Sequence, residues 1–198
     1  MTIKFSFYSV LILLATTHCA APPLNYYTLS LSDNNLTSQT VSYTDNYPIL
    51  YVSPVTLPDY LNTSDIIIRK HSLIISSYTG RLSSILSNEI TNFIKNNLTK
   101  AYPNALVTDQ NPFAKPTYQL VVNINLFDIQ KTKDKQGILT CEALWYIVPS
   151  DKNIKIKKYQ TRLIDHGQLD SDENIIALEQ KVLSQLTQKI TQTLQPMF

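Results

Sequence analysis

The most regular segment of the chain is YQLVVNINL, residues 118–126. Its apolar side chains occupy every second position, and polar Gln119, Asn123 and Asn125 stand between most of them. Successive side chains of a β-strand point to opposite faces of the sheet. The segment therefore predicts a strand with one buried face and one largely polar face.

The pattern continues downstream across short polar turns. A charged turn, Lys131–Gly137, leads into a predicted strand over Ile138–Val148, and a further strand is predicted over Ile154–Ile164. Antiparallel strands joined by short turns commonly pack one face on a core and leave the other in water. We therefore expect an antiparallel meander with one wet face.

Upstream, shorter apolar runs predict the remaining strands. Tyr26–Leu31 and Pro48–Val55 are typical of strands, and the polar residues 32–46 between them predict a loop. Two isoleucine- and leucine-rich runs, Ile66–Ile68 and Leu73–Ile75, are separated by four polar residues. This arrangement predicts a hairpin.

Two segments change to the helical period. From Arg81 to a stop at Pro103, apolar residues recur at spacings of three and four, and the same spacing holds from Ile175 to Leu194. Asp170 with Glu173 predicts a capping box at the start of the second helix. Two apolar stripes need one apolar sheet face for burial. The expected fold class is α+β: a two-layer sandwich in which a mixed or mostly antiparallel sheet carries two long helices on one face.

The N-terminus predicts export and lipidation. Lys4 precedes an apolar run of about 11 residues, Phe5–Ala15, which is too short for a permanent span and suits a signal peptide over residues 1–18. Cys19 at its end predicts a bacterial lipoprotein that is cleaved before Cys19 and acylated on it. Ordinary cleavage after Ala21 is the alternative. Residues 19–24 would then form a tether, and residues 25–198 a single domain.

Composition argues against several classes of function. The formal net charge is only +2, so nucleic acid is not an expected partner. The densest basic cluster interleaves two isoleucines and predicts the solvated face of a strand; its lysines are Lys152, Lys155, Lys157 and Lys158. Cys141 lies in an apolar alternation, which predicts a buried, inert thiol.

No motif indicates catalysis or a cofactor. The chain has three glycines and no phosphate-binding loop, and its His, Cys, Asp and Glu residues lack metal-ligand spacing. Asp165 and His166 are adjacent, but neighbours in a strand point to opposite faces and cannot act as a catalytic pair. We therefore predict a protein that is not an enzyme and needs no cofactor or metal.

One segment carries a family resemblance. Residues 50–61, LYVSPVTLPDYL, resemble the strand and the Val-x-Leu/Val-Pro-Asp-Tyr-Leu-type motif of the ABC-type transport auxiliary lipoproteins, the PqiC-like family. A Tyr-Tyr-x-Leu strand soon after the cysteine, here Tyr26–Leu29, is also similar. The family pattern usually has a Trp and a Pro before the first helix, where this chain has Tyr78–Leu82.

The resemblance implies a non-catalytic envelope protein. Such lipoproteins serve systems in which an ABC transporter or an MCE-domain protein moves lipid between the two membranes, and Ala20 after the cysteine favours the outer membrane. Homo-oligomerisation is left open. The alternative function is assistance to the assembly of an outer-membrane β-barrel.

The expected partner-binding residues are those of the motif: Leu57, Pro58, Asp59, Tyr60 and Leu61. Pro58 fixes φ and Asp59 caps the turn, so that the three remaining side chains present an apolar and aromatic patch. The alternative is that the motif only forms a corner and buries Tyr60 under the first helix.

Overall fold

The computed structural model describes residues 23–30, 47–112, 114–132 and 134–198. The expected signal peptide, Cys19 and the predicted loop over residues 32–46 lie outside the described residues. The strands are β1 (Asn25–Tyr27), β2 (Ile49–Val52), β3 (Asp65–Lys70), β4 (Leu73–Leu82), β5 (Leu106–Thr108), β6 (Tyr118–Lys131), β7 (Gln136–Pro149) and β8 (Lys157–Gln168). The helices are α1 (Leu86–Ala101) and α2 (Asp172–Leu194).

The meander predicted from the alternating segments is confirmed. β6 pairs antiparallel with β7, and β7 pairs antiparallel with β8 along nearly their whole lengths. On β7 the side chains of one face are buried: Leu139, Cys141, Ala143, Trp145 and Ile147. On β8 the side chains of the opposite face are exposed: Lys158, Gln160, Arg162, Ile164, His166 and Gln168. One face of the meander is thus dry and the other wet.

The second edge of β6 is shared by two strands. β2 lies parallel to the start of β6, where Leu50 pairs with Tyr118, and β3 lies parallel to its end, where Arg69 pairs with Gln130. β5 extends the sheet beyond β2, while β4 and then β1 extend it beyond β3. The eight strands form one mixed sheet, and the hairpin predicted for β3 and β4 is confirmed.

Both helices cover the dry face of the sheet, so the expected two-layer α+β architecture is confirmed. The apolar stripe of α2 is buried throughout its length: Ile175, Ile176, Leu178, Val182, Leu183, Leu186, Ile190 and Leu194. In the part of the chain that the structure describes, no helix has the length and apolar character needed to cross a membrane.

Both helix starts differ from the sequence prediction. Leu82 ends β4 instead of opening α1, because its backbone N–H donates to Ser64 and its neighbour Ser83 donates to Tyr27. The N-cap of α2 is Ser171, whose hydroxyl accepts from the Asn174 N–H, so the Asp170 capping box was wrong by one residue. The start of α1 is set by strand pairing with residues distant in sequence, and the start of α2 by a capping side chain one position further along the chain.

Two further elements differ from the predictions. The three-residue strand β5 was missed, because an apolar run this short after Pro103 has no measurable period. The last strand begins at Lys157, so Ile154 and Ile156 stand in the preceding loop and are 47% and 53% exposed. The lysines of the basic cluster are all solvated, as expected, but Lys152 and Lys155 belong to that loop.

The chain segment after β1 is held by a buried carboxylate on α1. Glu89 is 4% exposed and accepts four hydrogen bonds, from the Leu29 N–H at 3.0 Å and from the hydroxyls of Thr28, Ser83 and Ser84 at 2.9, 2.6 and 3.0 Å. Burial raises the pKa of Glu89, but the hydrogen bonds outweigh it and leave the pKa lowered. The ionised carboxylate therefore ties the N-terminal segment to the helix layer.

Replacing Glu89 with Gln is expected to destabilise the fold by about 1–3 kcal/mol at pH 7, because an amide cannot accept from all four donors. Because the pKa of Glu89 is lower in the folded state than in the unfolded state, the ionised carboxylate stabilises the fold at high pH. This stabilisation is lost as the pH falls through the folded-state pKa. The difference between the two proteins in urea unfolding should therefore be complete above about pH 5 and shrink in acid.

Glu173→Gln is the matched control for this measurement. The Glu173 carboxylate accepts one exposed hydrogen bond, from the Tyr27 hydroxyl at 2.7 Å. Its loss should destabilise the fold much less than the Glu89 replacement does, because this hydrogen bond is exposed to water. Equal losses for the two variants at pH 7 would contradict the role assigned to Glu89.

Candidate functional site

The motif 57–61 fills the gap between the two strands that share one edge of β6. Before the gap, Thr56 forms an isolated bridge with Asn123, and their side chains are joined by a hydrogen bond of 2.6 Å. After the gap, β3 returns to the same edge. The motif therefore interrupts one long edge and lies beside the part of β6 where the pairing with β7 shifts, between Ile124 and Leu126.

Pro58 starts a single turn of 3₁₀-helix over Asp59–Leu61. Its φ of −54° and ψ of 140° are the extended values that suit proline, and its carbonyl accepts from the Leu61 N–H at 2.9 Å. Asp59 lies inside the turn, exposed, and does not cap it. The position that a capping side chain would occupy belongs to Pro58, which has no polar side chain.

The apolar residues of the motif divide between core and surface. Leu61 is 4% exposed and belongs to the core, and Leu57 is half-buried against it. The expectation that Leu61 faces a partner was therefore wrong, because this side chain is turned under the helices beside Leu86. Tyr60 is 38% exposed, and the alternative in which the tyrosine is buried under α1 was also wrong.

Tyr60 is positioned by an ion pair on the helix-free face. The guanidinium of Arg69 lies 5.5 Å from the centre of the Tyr60 ring, within the range of a cation–π contact. Arg69 Nε donates to both carboxylate oxygens of Asp128, at 2.8 and 2.9 Å. Asp128 pairs with Thr140 of β7, whose neighbours Leu139 and Cys141 face the core. The side chain of Asp128 therefore projects from the face that the helices do not cover.

The electrostatics of this cluster are those of a fixed, charged support. The hydrogen bonds that Arg69 donates to the Asp128 carboxylate raise the pKa of Arg69 above its already high value. The side chain of Asp128 is 10% exposed and that of Arg69 25%, so the pair is partly shielded from water. We call Tyr60, Arg69 and Asp128 the Tyr60 platform. It presents one aromatic ring that two buried or half-buried charges hold in place.

Arg69 and Asp128 are two residues of this site that the sequence did not predict. The predicted hairpin has Arg69 in its turn, whereas the structure has it as a residue of β3. The sequence contains one indication of Asp128. This charged residue stands between apolar Phe127 and Ile129, where the apolar positions change from the even numbers of residues 118–126 to odd numbers. Only the pairing of distant strands brings the two charges together.

The other candidate side chains named from the sequence are not brought together with the Tyr60 platform in the part of the chain that the structure describes. The described residues contain no group of three His, Cys, Asp or Glu side chains that could hold a metal ion. Cys141 is a buried free thiol whose pKa burial raises to about 12, which confirms the inert cysteine. Asp165 bonds to Lys181 of α2 at 2.8 Å while His166 is exposed on the opposite face, so this pair is split as expected.

Comparison with solved structures supports the fold. A crystal structure described as that of an uncharacterized protein matches with a TM-score of 0.66 at 18% identity, covering 87% of this chain and 99% of the other. Protein XCC0632 from Xanthomonas campestris, of the family DUF330, matches with a TM-score of 0.60 at 12% identity, covering 81% and 97%. No curated protein sequence matches the chain.

The sequence also matches a family model over residues 27–191, from the first strand to the last turns of α2. The matched range includes the motif, the Tyr60 platform, the meander and both helices. The family consists of lipoproteins, which indicates a membrane-anchored location in the envelope. The chain belongs to the ABC-type transport auxiliary lipoprotein component family.

Proposed function

We propose that this protein is a non-catalytic outer-membrane lipoprotein that serves as the adaptor subunit of an ABC- or MCE-type system for lipid transport between membranes. Residues 1–18 act as the signal peptide, Cys19 carries the lipid, residues 19–24 form the tether and residues 25–198 form the working domain. Family membership supports the transport role, and Ala20 beside the lipidated cysteine supports the outer membrane.

The observation that carries the adaptor role is the Tyr60 platform. Exposed aromatic rings in a fixed position lose little conformational entropy on binding, and tyrosine and arginine are enriched among the residues that dominate protein interfaces. Arg69 and Asp128 hold the Tyr60 ring before any partner arrives. We propose that the partner, an MCE-domain or ABC-transporter protein, packs on Tyr60 beside exposed Asp59 and half-buried Leu57.

We expect Tyr60→Ala to reduce recovery of the partner at least tenfold when the tagged protein is purified from detergent-solubilised envelopes. A central aromatic residue of an interface contributes about 2 kcal/mol or more. The recovered proteins are identified by mass spectrometry, and the melting temperature of the variant should stay within a few degrees of the wild type.

Tyr146→Ala is the matched control. Tyr146 lies on the same face, with Lys158 at 5.5 Å from its ring, the separation that Arg69 has from Tyr60. It should retain the partner. Undiminished recovery with folded Tyr60→Ala would overturn the docking proposal, and recovery of an outer-membrane barrel alone would favour the assembly function.

A further inference from the structure

The direction of β1 relates the lipid anchor to one end of the sheet. β1 runs parallel to β4, with Asn25 opposite Gly80 and Tyr27 opposite Leu82. The residues that precede β1 therefore approach from the side on which β4 begins, at Leu73. The six Cα–Cα steps from Cys19 to Asn25 reach at most about 20 Å. That length is comparable to the distance of about 17 Å from the level of Arg81 back to Leu73, because β4 bulges between Ser76 and Arg81 and its pairing with β3 spans only Asp65 to Lys70.

The end of the sheet near Leu73 is apolar at its tip. The turn between β3 and β4 leads directly into Leu73 and Ile74, which are 60% and 42% exposed. Large exposed apolar side chains grouped at one end of a domain mark an interaction surface.

The same end carries cations. Lys70 closes β3 beside the tip, and because Arg69 pairs with Gln130, the turn between β6 and β7 lies next to it. That turn adds exposed Lys131 and Lys135 and one exposed acid, Asp134. Exposed leucine and isoleucine among lysines suit the interface of an anionic bilayer, where apolar side chains enter the headgroup region and each cation contributes about 1 kcal/mol.

We propose that this end, formed by Leu73, Ile74, Lys70, Lys131 and Lys135, rests on the anionic phospholipid bilayer that holds the lipid anchor. The inference depends on the lipidation of Cys19 proposed above. It gives the domain an orientation: β6 stands with the turn after Lys131 at the bilayer, and its start at Tyr118 points about 40 Å away from it. The exposed loop with Ile154 and Ile156, which follows β7 at that far end, then projects from the membrane.

The test places a fluorophore at each end of the lipidated full-length protein. Leu73→Cys and Ile154→Cys are labelled with the environment-sensitive dye NBD, and the proteins are reconstituted into vesicles of phosphatidylethanolamine and phosphatidylglycerol. Buried Cys141 does not compete for the label, because its thiol is 0% exposed. Ile154, at 47% exposure against 60% for Leu73, is the matched control at the opposite end.

We expect NBD at position 73 to become brighter and blue-shifted on reconstitution and to be quenched by spin-labelled lipid, while NBD at position 154 changes in neither respect. The blue shift should be smaller in neutral phosphatidylcholine vesicles. An equal shift there would overturn the role of the three lysines. If NBD at position 73 shows the same water-exposed emission as NBD at position 154, the proposed orientation is overturned.

The mass of the N-terminal peptide separates this inference from the anchor itself. An acylated Cys19 with a solvent-exposed dye at 73 overturns the orientation and leaves the lipoprotein proposal standing. An unacylated Cys19 overturns the anchor and the orientation with it.

Discussion

Replacing Glu179 with Met will stabilise the fold by about 3 kcal/mol at pH 7, because it removes a carboxyl group that the core does not satisfy. Glu179 is 5% exposed, and its Oε2 has no hydrogen-bond partner among the described residues. It faces a small cavity that the Leu61 side chain of the motif also lines, together with Leu86 and Phe127. Burial raises the pKa of Glu179 to about 8.

The pH dependence provides the sharper test. With a folded-state pKa of about 8 against an ordinary 4.5, the folded protein keeps a proton that the unfolded chain releases. Stability then falls as the pH rises from about 4.5 to 8, since the unfolded state binds fewer protons over that range. The Met variant should lack this fall, so its advantage should be under about 1 kcal/mol at pH 5 and largest above pH 8.

Unfolding in urea can be followed by the fluorescence of Trp145, the single tryptophan, which is 3% exposed in the fold. Gln188→Met is the control, because this exposed residue lies on the same helix and has no charge to titrate. A Glu179→Met variant that is less stable than the wild type at pH 8 would show that the carboxyl group is satisfied within the fold.

Replacing Arg69 with Met will destabilise the protein by about 2–3 kcal/mol. Removing one partner of a buried ion pair typically costs about 3–5 kcal/mol, and the quarter exposure of Arg69 places this pair below that range. The cost arises because the Asp128 carboxylate, 10% exposed, loses its cationic donor and retains only the hydrogen bond from Gln130 Nε2 at 3.3 Å. Tyr60 also loses its cation, so partner recovery should fall together with stability.

Two further variants make the experiment specific. The double replacement Arg69→Met with Asp128→Leu should recover most of the lost stability, because it leaves no unpaired charge, but it should not restore partner binding. Arg162→Met breaks the exposed pair with Glu142 on the same face, at 3.4 Å, and should cost under about 1 kcal/mol. If the single Arg69→Met variant is as stable as Arg162→Met, the ion pair of Arg69 with Asp128 does not stabilise the Tyr60 platform as proposed.

Local periodicity accounts for the parts of the fold that the sequence predicted well. The alternation of residues 118–126 predicted the central strand, and the helical spacing of α1 and α2 predicted the layer that covers it. These predictions succeed because side-chain direction repeats every two or 3.6 residues regardless of distant contacts. Short elements such as β5, with three residues, contain too few repeats for the same argument.

The candidate site could be predicted only in part. Proline and aspartate in residues 57–61 correctly indicated an interruption of the strand, whereas the partner-binding role of Tyr60 stays a prediction. Which side chain faces the core and which faces solvent was not predictable, because a turn has no period. Leu61 and Tyr60 are adjacent, yet the first is buried under the helices and the second lies on the opposite face.

By itself, the sequence determined that this protein has an α+β fold with one dry and one wet sheet face, because amphipathic periods of strands and helices are local properties of the chain. Tertiary structure alone decided that β2 and β3 share one edge of β6, that Arg69 meets Asp128 across 59 positions, and that Glu179 is buried with its Oε2 unpaired among the described residues. Strand pairing over long sequence separations depends on the packing of the whole core, and no segment encodes it separately.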